Sequence, residues 1–160
     1  MTGVYVAAGS NVRPREHLRR ALGELEKSFP GLHASPAYQN AAVGFVGEDF
    51  INLVVGFETA SGLPAVIAEL RRIEALCGRA RDAPKWAARS MDLDILLFGD
   101  QVATLPEVTL PRPDLLKRPY MLGPLADLAP DLVHPLLQRR IGDLWAEFDR
   151  GAHAMRSIEL

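Results

Sequence analysis

Asp92 and Asp94 stand one residue apart, directly ahead of the apolar run Ile95-Leu96-Leu97-Phe98. That run predicts a buried strand. Side chains alternate along a strand, so both carboxylates fall on one face, roughly 6.5 to 7 Å apart along the backbone. Two carboxylates that close repel unless a cation lies beside them. Hard oxygen ligands suit Mg²⁺, which commonly takes one or two carboxylates together with water and substrate phosphates. Just upstream, Arg79, Arg81, Lys85 and Arg89 place four cations, with the indole of Trp86, inside eleven residues. Carboxylates for a metal, cations for phosphate and a flat aromatic for a ring together point to Mg-nucleotide chemistry. Each feature alone has a plainer reading: Asp-x-Asp as a solvated strand end, the cations as a surface run, Trp86 as a packing residue. The compact combination favours the chemical one.

The rest of the composition narrows the class. A chain of 160 residues, 48% hydrophobic and 24% charged, fits one domain (1–160) with a sizeable core. The net charge of −2 gives no global field to hold nucleic acid. The cations cluster locally instead, at 71–89 and 112–118, which suits a small anionic ligand and a monomeric small-molecule enzyme. The single cysteine, Cys77, excludes an internal disulfide and fits a reducing cytoplasm. Cys77 falls on a helical apolar stripe and is read as core. The N-terminus lacks signal-peptide organisation. No apolar run approaches the roughly eighteen residues that span a bilayer.

The elements that must position these residues follow from periodicity. Val4–Ala8 reads as a strand that breaks at a Gly9-Ser10-Asn11 turn. Pro14 opens a helix with Leu18, Ala21, Leu22, Leu25 and Phe29 inward. Leu32–Tyr38 predicts a second strand and 39–49 a loop. Phe50–Glu58 predicts a third strand, with Phe50, Asn52 and Val54 on one face and Ile51, Leu53 and Val55 on the other. Leu63–Cys77 predicts a helix with Val66, Ile67, Leu70, Ile73 and Cys77 inward. Glu74 falls in the same stripe; it either takes a partner there, for which the arginines just beyond are candidates, or snorkels out from the stripe edge. Residues 79–91 form a long polar loop, and Asp92–Phe98 a fourth strand. A short strand at 108–110 and short helices at 113–117, 119–128 and 141–148 complete the reading, with the last dozen residues weakly patterned. This order predicts an α+β fold with a ferredoxin-like split β-α-β core. Its mainly antiparallel sheet carries packed helices in three α-β-α layers.

The run from Arg79-Ala80-Arg81 through Lys85-Trp86-Ala87-Ala88-Arg89-Ser90-Met91-Asp92-Leu93-Asp94 to Gly99 resembles the signature of the 6-hydroxymethyl-7,8-dihydropterin pyrophosphokinases. The likeness extends from Tyr5-Val6-Ala7-Ala8-Gly9-Ser10-Asn11 through Phe50-Ile51-Asn52 and Arg72-Ile73-Glu74. It continues to Pro111-Arg112-Pro113, Arg118-Pro119-Tyr120 and Pro124–Pro130. The resemblance implies transfer of pyrophosphate from ATP to the pterin hydroxymethyl group, releasing AMP. It implies two Mg²⁺ ions on Asp92 and Asp94, and Arg79 and Arg89 meeting the phosphates as catalytic residues. On the nucleotide side it implies Arg81, Lys85, Trp86, Ile95, Thr109, Arg112 and Arg118, with Glu74 counted beside them. For the pterin it implies Asn52 on the amide edge, Phe50 and Tyr120 as aromatics, and a framing loop of Asn40, Ala41, Val43 and Gly44.

The chain departs from that pattern in four places, one of them a slightly short loop from 44 to 50. The framing loop, typically Thr-Pro-Pro-Leu-Gly, reads Asn40-Ala41-Ala42-Val43-Gly44. The usual Gly-Pro before the signature arginine is Ala87-Ala88, and a usual histidine is Arg112. Two other functions fit the paired aspartates: a nucleotidyltransferase or cyclase, which would release pyrophosphate rather than AMP, and a paralogue that binds pterin or nucleotide with weak turnover.

Overall fold

The computed structural model describes residues 1–40, 49–78, 91–149 and 155–160. The chain runs β1 (Thr2–Ser10), α1 (Pro14–Ser28), β2 (His33–Ala34), β3 (Ala37–Asn40), β4 (Phe50–Thr59), α2 (Leu63–Leu76) and β5 (Asp92–Phe98). It continues through β6 (Ala103–Thr104), β7 (Thr109–Leu110), a one-turn 3₁₀ helix (Pro113–Leu116), α3 (Pro119–Leu128), α4 (Ile141–Glu147) and β8 (Arg156–Ile158).

The main sheet has the order β5-β1-β4-β3-β8, with β2 also paired to β4, and all its pairings are antiparallel. The first four strands of that order reproduce the ferredoxin-like core that the sequence predicts. Alternation on the central strands divides the apolar side chains between two faces. Ile51, Leu53, Val55 and Phe57 of β4 join Val4, Val6 and Ala8 of β1 beneath α1 and α2. Val54 and Ala7 face the other way, into a cluster with Leu122 and Leu125 of α3 and Ile141 of α4. Each sheet face is therefore covered by its own helix pair, giving three layers. Among the described residues, no helix is long and apolar enough to cross a membrane.

Some local expectations change. The strand expected over 32–38 is split into β2 and β3, because Pro36 supplies no backbone donor. Ser35 bridges the gap: its N–H donates to the Val54 carbonyl at 2.8 Å, and its Oγ accepts the Val54 N–H at 2.9 Å. β1 runs on through Gly9 and Ser10 instead of turning there. Residues 156–158, expected to be weakly structured, add β8 to the edge of β3. Ile67 is only partly buried, whereas Val66, Leu70, Ile73 and Cys77 are buried as the helical stripe requires. Burial raises the pKa of the Cys77 thiol, which keeps it protonated in the core.

Candidate active site

Strand register gathers the site. Asp92 pairs with Gly9, and Gly9 pairs on its other side with Asn52. One step along, Asp94 pairs with Ala7, and Ala7 with Val54. Two parallel rows thus cross β5, β1 and β4 on the face that carries α3. Each row has a carboxylate at one end and a very small residue in the middle. The outer strands lie two strand spacings apart, roughly 10 Å, so Gly9 floors a shallow cleft between Asp92 and Asn52, while Ala7 packs into the apolar cluster beneath α3. Glycine at position 9 is a steric requirement. A Cβ there would lie 2.4 Å from Asn52 Oδ1, so the amide rests directly over the glycine backbone. A glycine inside a strand signals this kind of close approach, and that signal was available in the sequence.

The Asn52 side of the cleft is hydrogen-bonded. Asn52 Nδ2 donates to Asn40 Oδ1 at 2.7 Å, from the last residue of β3. Beside Asn52 in register, Tyr38 donates its hydroxyl to Asp127 and so ties β3 to α3. Burial and the Asp127 carboxylate push the Tyr38 pKa up to about 12. Sequence reasoning missed this tie, which carries no local motif.

The aspartate side is braced from behind. β5 is a sheet edge, and Leu93, between the two aspartates, donates its N–H to Glu74 Oε2 at 2.8 Å. Glu74 is buried, and its Oε1 accepts from Arg71 Nη1 at 2.7 Å. The carboxylate counted with the nucleotide-side residues is therefore engaged with the aspartate strand. Arg71 lies within α2, and the arginines beyond that helix, Arg79, Arg81 and Arg89, lie outside the described residues. Farther along the same edge, Arg112 donates its backbone N–H to the Leu96 carbonyl at 3.0 Å. Its guanidinium lies 3.6 Å from Asp94 Oδ1 and 3.8 Å from Asp114 Oδ2. Arg112 Nε is buried with no hydrogen-bond partner among the described residues.

Tyr120, in the first turn of α3, is half-buried against the same cluster. Burial raises the pKa of its phenol; Asp114 and Asp94 add to the rise, while Arg118 and Arg112 oppose it. The phenol thus lies in the field of the aspartate edge and of Arg112 and Arg118. Phe50 opens β4 on the face of Asn52, opposite Asn40. Arg118 caps α3 and is exposed, and Thr109 sits on β7 facing Thr104. Ile95 pairs with Val6 and buries its side chain under α1 and α2, on the face opposite the aspartates. Arg79, Arg81, Lys85, Trp86, Arg89, Ala41, Val43 and Gly44 lie outside the described residues.

Two surface cavities lie away from this cleft. One of about 550 Å³ is lined by Arg13, Arg15, Arg19 and Gln39, and one of about 420 Å³ by Tyr5, His33, Gly56 and Leu128. The first lies at the start of α1 and the second at the far end of β1, and neither is near the paired carboxylates.

Residues 5–130 match the family model described as 7,8-dihydro-6-hydroxymethylpterin-pyrophosphokinase (HPPK). The chain belongs to this family. A relative from Pseudomonas aeruginosa, named 2-amino-4-hydroxy-6-hydroxymethyldihydropteridine pyrophosphokinase, is 40% identical over 137 residues, 82% of this chain and 83% of its own. A relative of the same name from Aquifex aeolicus is 30% identical over 149 residues, 92% of each chain. Among solved structures, wild-type Plasmodium falciparum HPPK-DHPS with pteroate superposes with a TM-score of 0.72 at 15% identity. That likeness supports the fold alone. It covers 92% of this chain and 42% of the other, so the chain spans less than half of that solved protein. Within the HPPK family frame, the matched segment takes in the whole cleft, from Tyr5 on β1 past Tyr120 on α3.

Proposed function

We propose that this chain is a 2-amino-4-hydroxy-6-hydroxymethyldihydropteridine diphosphokinase. It transfers pyrophosphate from ATP to the hydroxymethyl group of 6-hydroxymethyl-7,8-dihydropterin. The observation that carries the reading is the register row Asn52–Gly9–Asp92, which sets a side-chain amide across a glycine floor from a carboxylate pair. A flat ring with donors and acceptors on its edge fits against the amide. Its exocyclic alcohol then points toward the aspartate edge, where the phosphates belong.

The donor set suits Mg²⁺. Asp92 and Asp94 offer two hard carboxylates on one face, and no third His, Cys, Asp or Glu gathers with them among the described residues. That is the sparse protein shell expected of an ion that keeps water and substrate phosphates. Bound there, Mg²⁺ would neutralise charge on the polyphosphate. In the reaction the alcohol oxygen bonds to the β-phosphorus, and the bond from that phosphorus to the α,β-bridging oxygen breaks. AMP leaves with the electron pair, and the hydroxyl proton passes to solvent or to a carboxylate of the pair.

The chain's own residues do the positioning. Glu74 holds Leu93 and so the spacing of the aspartates. Arg112 balances Asp94 and sits within reach of phosphate. Tyr120 and Phe50 offer aromatic faces to the ring. Arg79 and Arg89 are assigned to the transferred phosphates, Arg81, Lys85 and Trp86 to the nucleotide, and the 40–44 loop to the pterin. These roles rest on the family motif. We read the enzyme as a cytoplasmic monomer, consistent with its lone buried cysteine.

Incubation with ATP, Mg²⁺ and the dihydropterin, followed by chromatography, tests the function. AMP and a diphosphorylated pterin are expected in equal amounts. Release of pyrophosphate instead would move the chain to the nucleotidyltransferases, and ligand binding without products would make it a binding paralogue.

A further inference from the structure

The C-terminal strand reaches the pterin side of the cleft from behind. β8 lies beyond the 5–130 segment that the family model matches, and it pairs along β3 with Arg156 directly opposite Gln39. Gln39 in turn stands opposite Ile51, whose side chain packs under α1 and α2. Paired residues share a sheet face, so Gln39 and Arg156 lie on the α1 side, while Tyr38 and Asn40 share the cleft face with Asn52 and Phe50. Gln39 Nε2 donates to Asp49 Oδ2 at 3.1 Å, and Gln39 Oε1 accepts from Arg156 Nη2 at 3.1 Å. The two partners fix which way the amide points, because a carboxylate can only accept and a guanidinium can only donate. Asn40 ends β3 and Asp49 directly precedes β4, so the Gln39–Asp49 bond ties the two ends of that connection together. β8 does not depend on Arg156 for its place: Ile158 and Leu160 pack against the core, and Arg15 of α1 donates to the Glu159 carbonyl.

We propose that Gln39 is a positioning residue for the pterin: held between Arg156 and Asp49, it sets the separation of Asn40 and Phe50 at the edge of the cleft, and so makes the C-terminal strand part of the pterin apparatus. Gln39 acts through the backbone it fixes, from the sheet face opposite the ring. Exposed charged contacts add little to overall stability, so the effect shows in binding. A ring that meets Asn40, Phe50 and Asn52 together binds more weakly when their spacing must be ordered at each encounter. The paired aspartates stand on β5, across β1 and β4 from this brace, so nucleotide binding is independent of it. The inference rests on the pterin reading above and deepens it by naming what holds the pterin side in place.

The test is steady-state kinetics of pyrophosphate transfer, with amide hydrogen exchange, on wild type, Gln39→Leu, Arg156→Ala, Arg156→Lys and the double variant Gln39→Leu/Arg156→Ala. Gln39→Leu should raise the pterin KM about fivefold, the scale of one or two hydrogen bonds to charged groups. It should speed exchange across 38–40 and 50–52 and leave kcat, the ATP KM and the thermal midpoint near wild type, the pattern of lost substrate binding without lost chemistry. Arg156→Ala should raise the pterin KM about threefold, and Arg156→Lys should restore it. The double variant should be no worse than Gln39→Leu alone, since both residues act through the same bond. A pterin KM within about 1.5-fold of wild type in Gln39→Leu, an equal rise in the ATP KM, or additive losses in the double variant overturns this inference alone. Absence of transfer by wild type overturns the pterin reading and this inference with it.

Discussion

Glu74 of α2 accepts the backbone N–H of Leu93 at 2.8 Å, and Leu93 is the residue between the two aspartates. The bond satisfies a donor on the open edge of β5 and fixes where Asp92 and Asp94 stand relative to the helix layer behind them. A helix carboxylate thus sets the geometry of two strand carboxylates on the opposite face of the sheet.

Glu74→Leu should therefore cost both stability and activity. It strands the Leu93 N–H and removes the acceptor for Arg71, a loss of about 1–3 kcal/mol by the usual cost of an unpaired buried polar group. Glu74→Gln keeps an oxygen for Leu93 and should recover most of the turnover. Chemical denaturation and steady-state rates on both variants check this; equal damage in the two would mean charge, and not the Leu93 bond, is what matters.

Gly9→Ala tests the cleft floor. The new methyl would meet Asn52 Oδ1 at 2.4 Å, and the amide is the part that can move. The chain should still fold, since β1 pairs with both neighbours at this point. Pterin affinity should fall by about tenfold, the scale of one displaced hydrogen bond to a buried group, while ATP affinity holds. Calorimetry with each ligand reads the two separately, and parallel losses would place Asn52 outside pterin recognition.

Arg112→Gln removes the cation that lies 3.6 Å from Asp94. With that competitor gone, Asp94 should take a divalent ion more readily in the absence of nucleotide. The pair is partly exposed, so the gain should be no more than about fivefold. ATP should bind more weakly if the guanidinium also meets phosphate, as proposed above. Mn²⁺ titration of the nucleotide-free protein followed by magnetic resonance provides the reading, and unchanged Mn²⁺ affinity would refute the competition.

His134 gives a pH signature remote from the site. It is buried, and its Nδ1 accepts the N–H groups of Leu136 and Leu137 at 3.2 Å each, so it is held neutral. Burial lowers its pKa from the ordinary 6.5. The unfolded chain therefore takes up the proton at higher pH than the fold does. The contribution of His134 to stability is complete above about pH 6.5 and is lost as pH falls below it. Thermal midpoints from pH 8 to 5 should decline more steeply for wild type than for His134→Gln. Identical slopes would show that another group titrates.

Much of this was legible in the sequence because it depends on period. Alternation at Phe50–Val55 assigned the two faces of β4 correctly, and the Leu18–Leu25 and Val66–Cys77 stripes placed α1 and α2. What was not legible is set by neighbours distant in sequence. Ser35 substitutes for a ladder bond that Pro36 cannot make, and nothing local reveals that Val54 is its partner. β8 exists because β3 leaves an edge for Arg156–Ile158 to pair with, although the segment itself is weakly patterned. Glu74 was open to two readings, partnered within the stripe or snorkelling out; it is buried and binds Arg71 and a backbone donor on β5, while the arginines that spacing suggested lie outside the described residues. Gly9 looked like a turn because glycine ends strands more often than it floors a cleft.

The most direct measurement compares turnover and pterin binding in Asp92→Asn and Asp94→Asn against wild type. Each variant keeps the shape of the side chain and removes its charge, so β5 should stay paired to β1 and thermal midpoints should change little. If the carboxylate pair holds the metal and Asn52 holds the ring across the glycine floor, pyrophosphate transfer should fall by on the order of 10³ or more in both variants. Pterin affinity should stay within about threefold of wild type. Transfer at near wild-type rates in either variant under saturating ATP and Mg²⁺ would contradict the account.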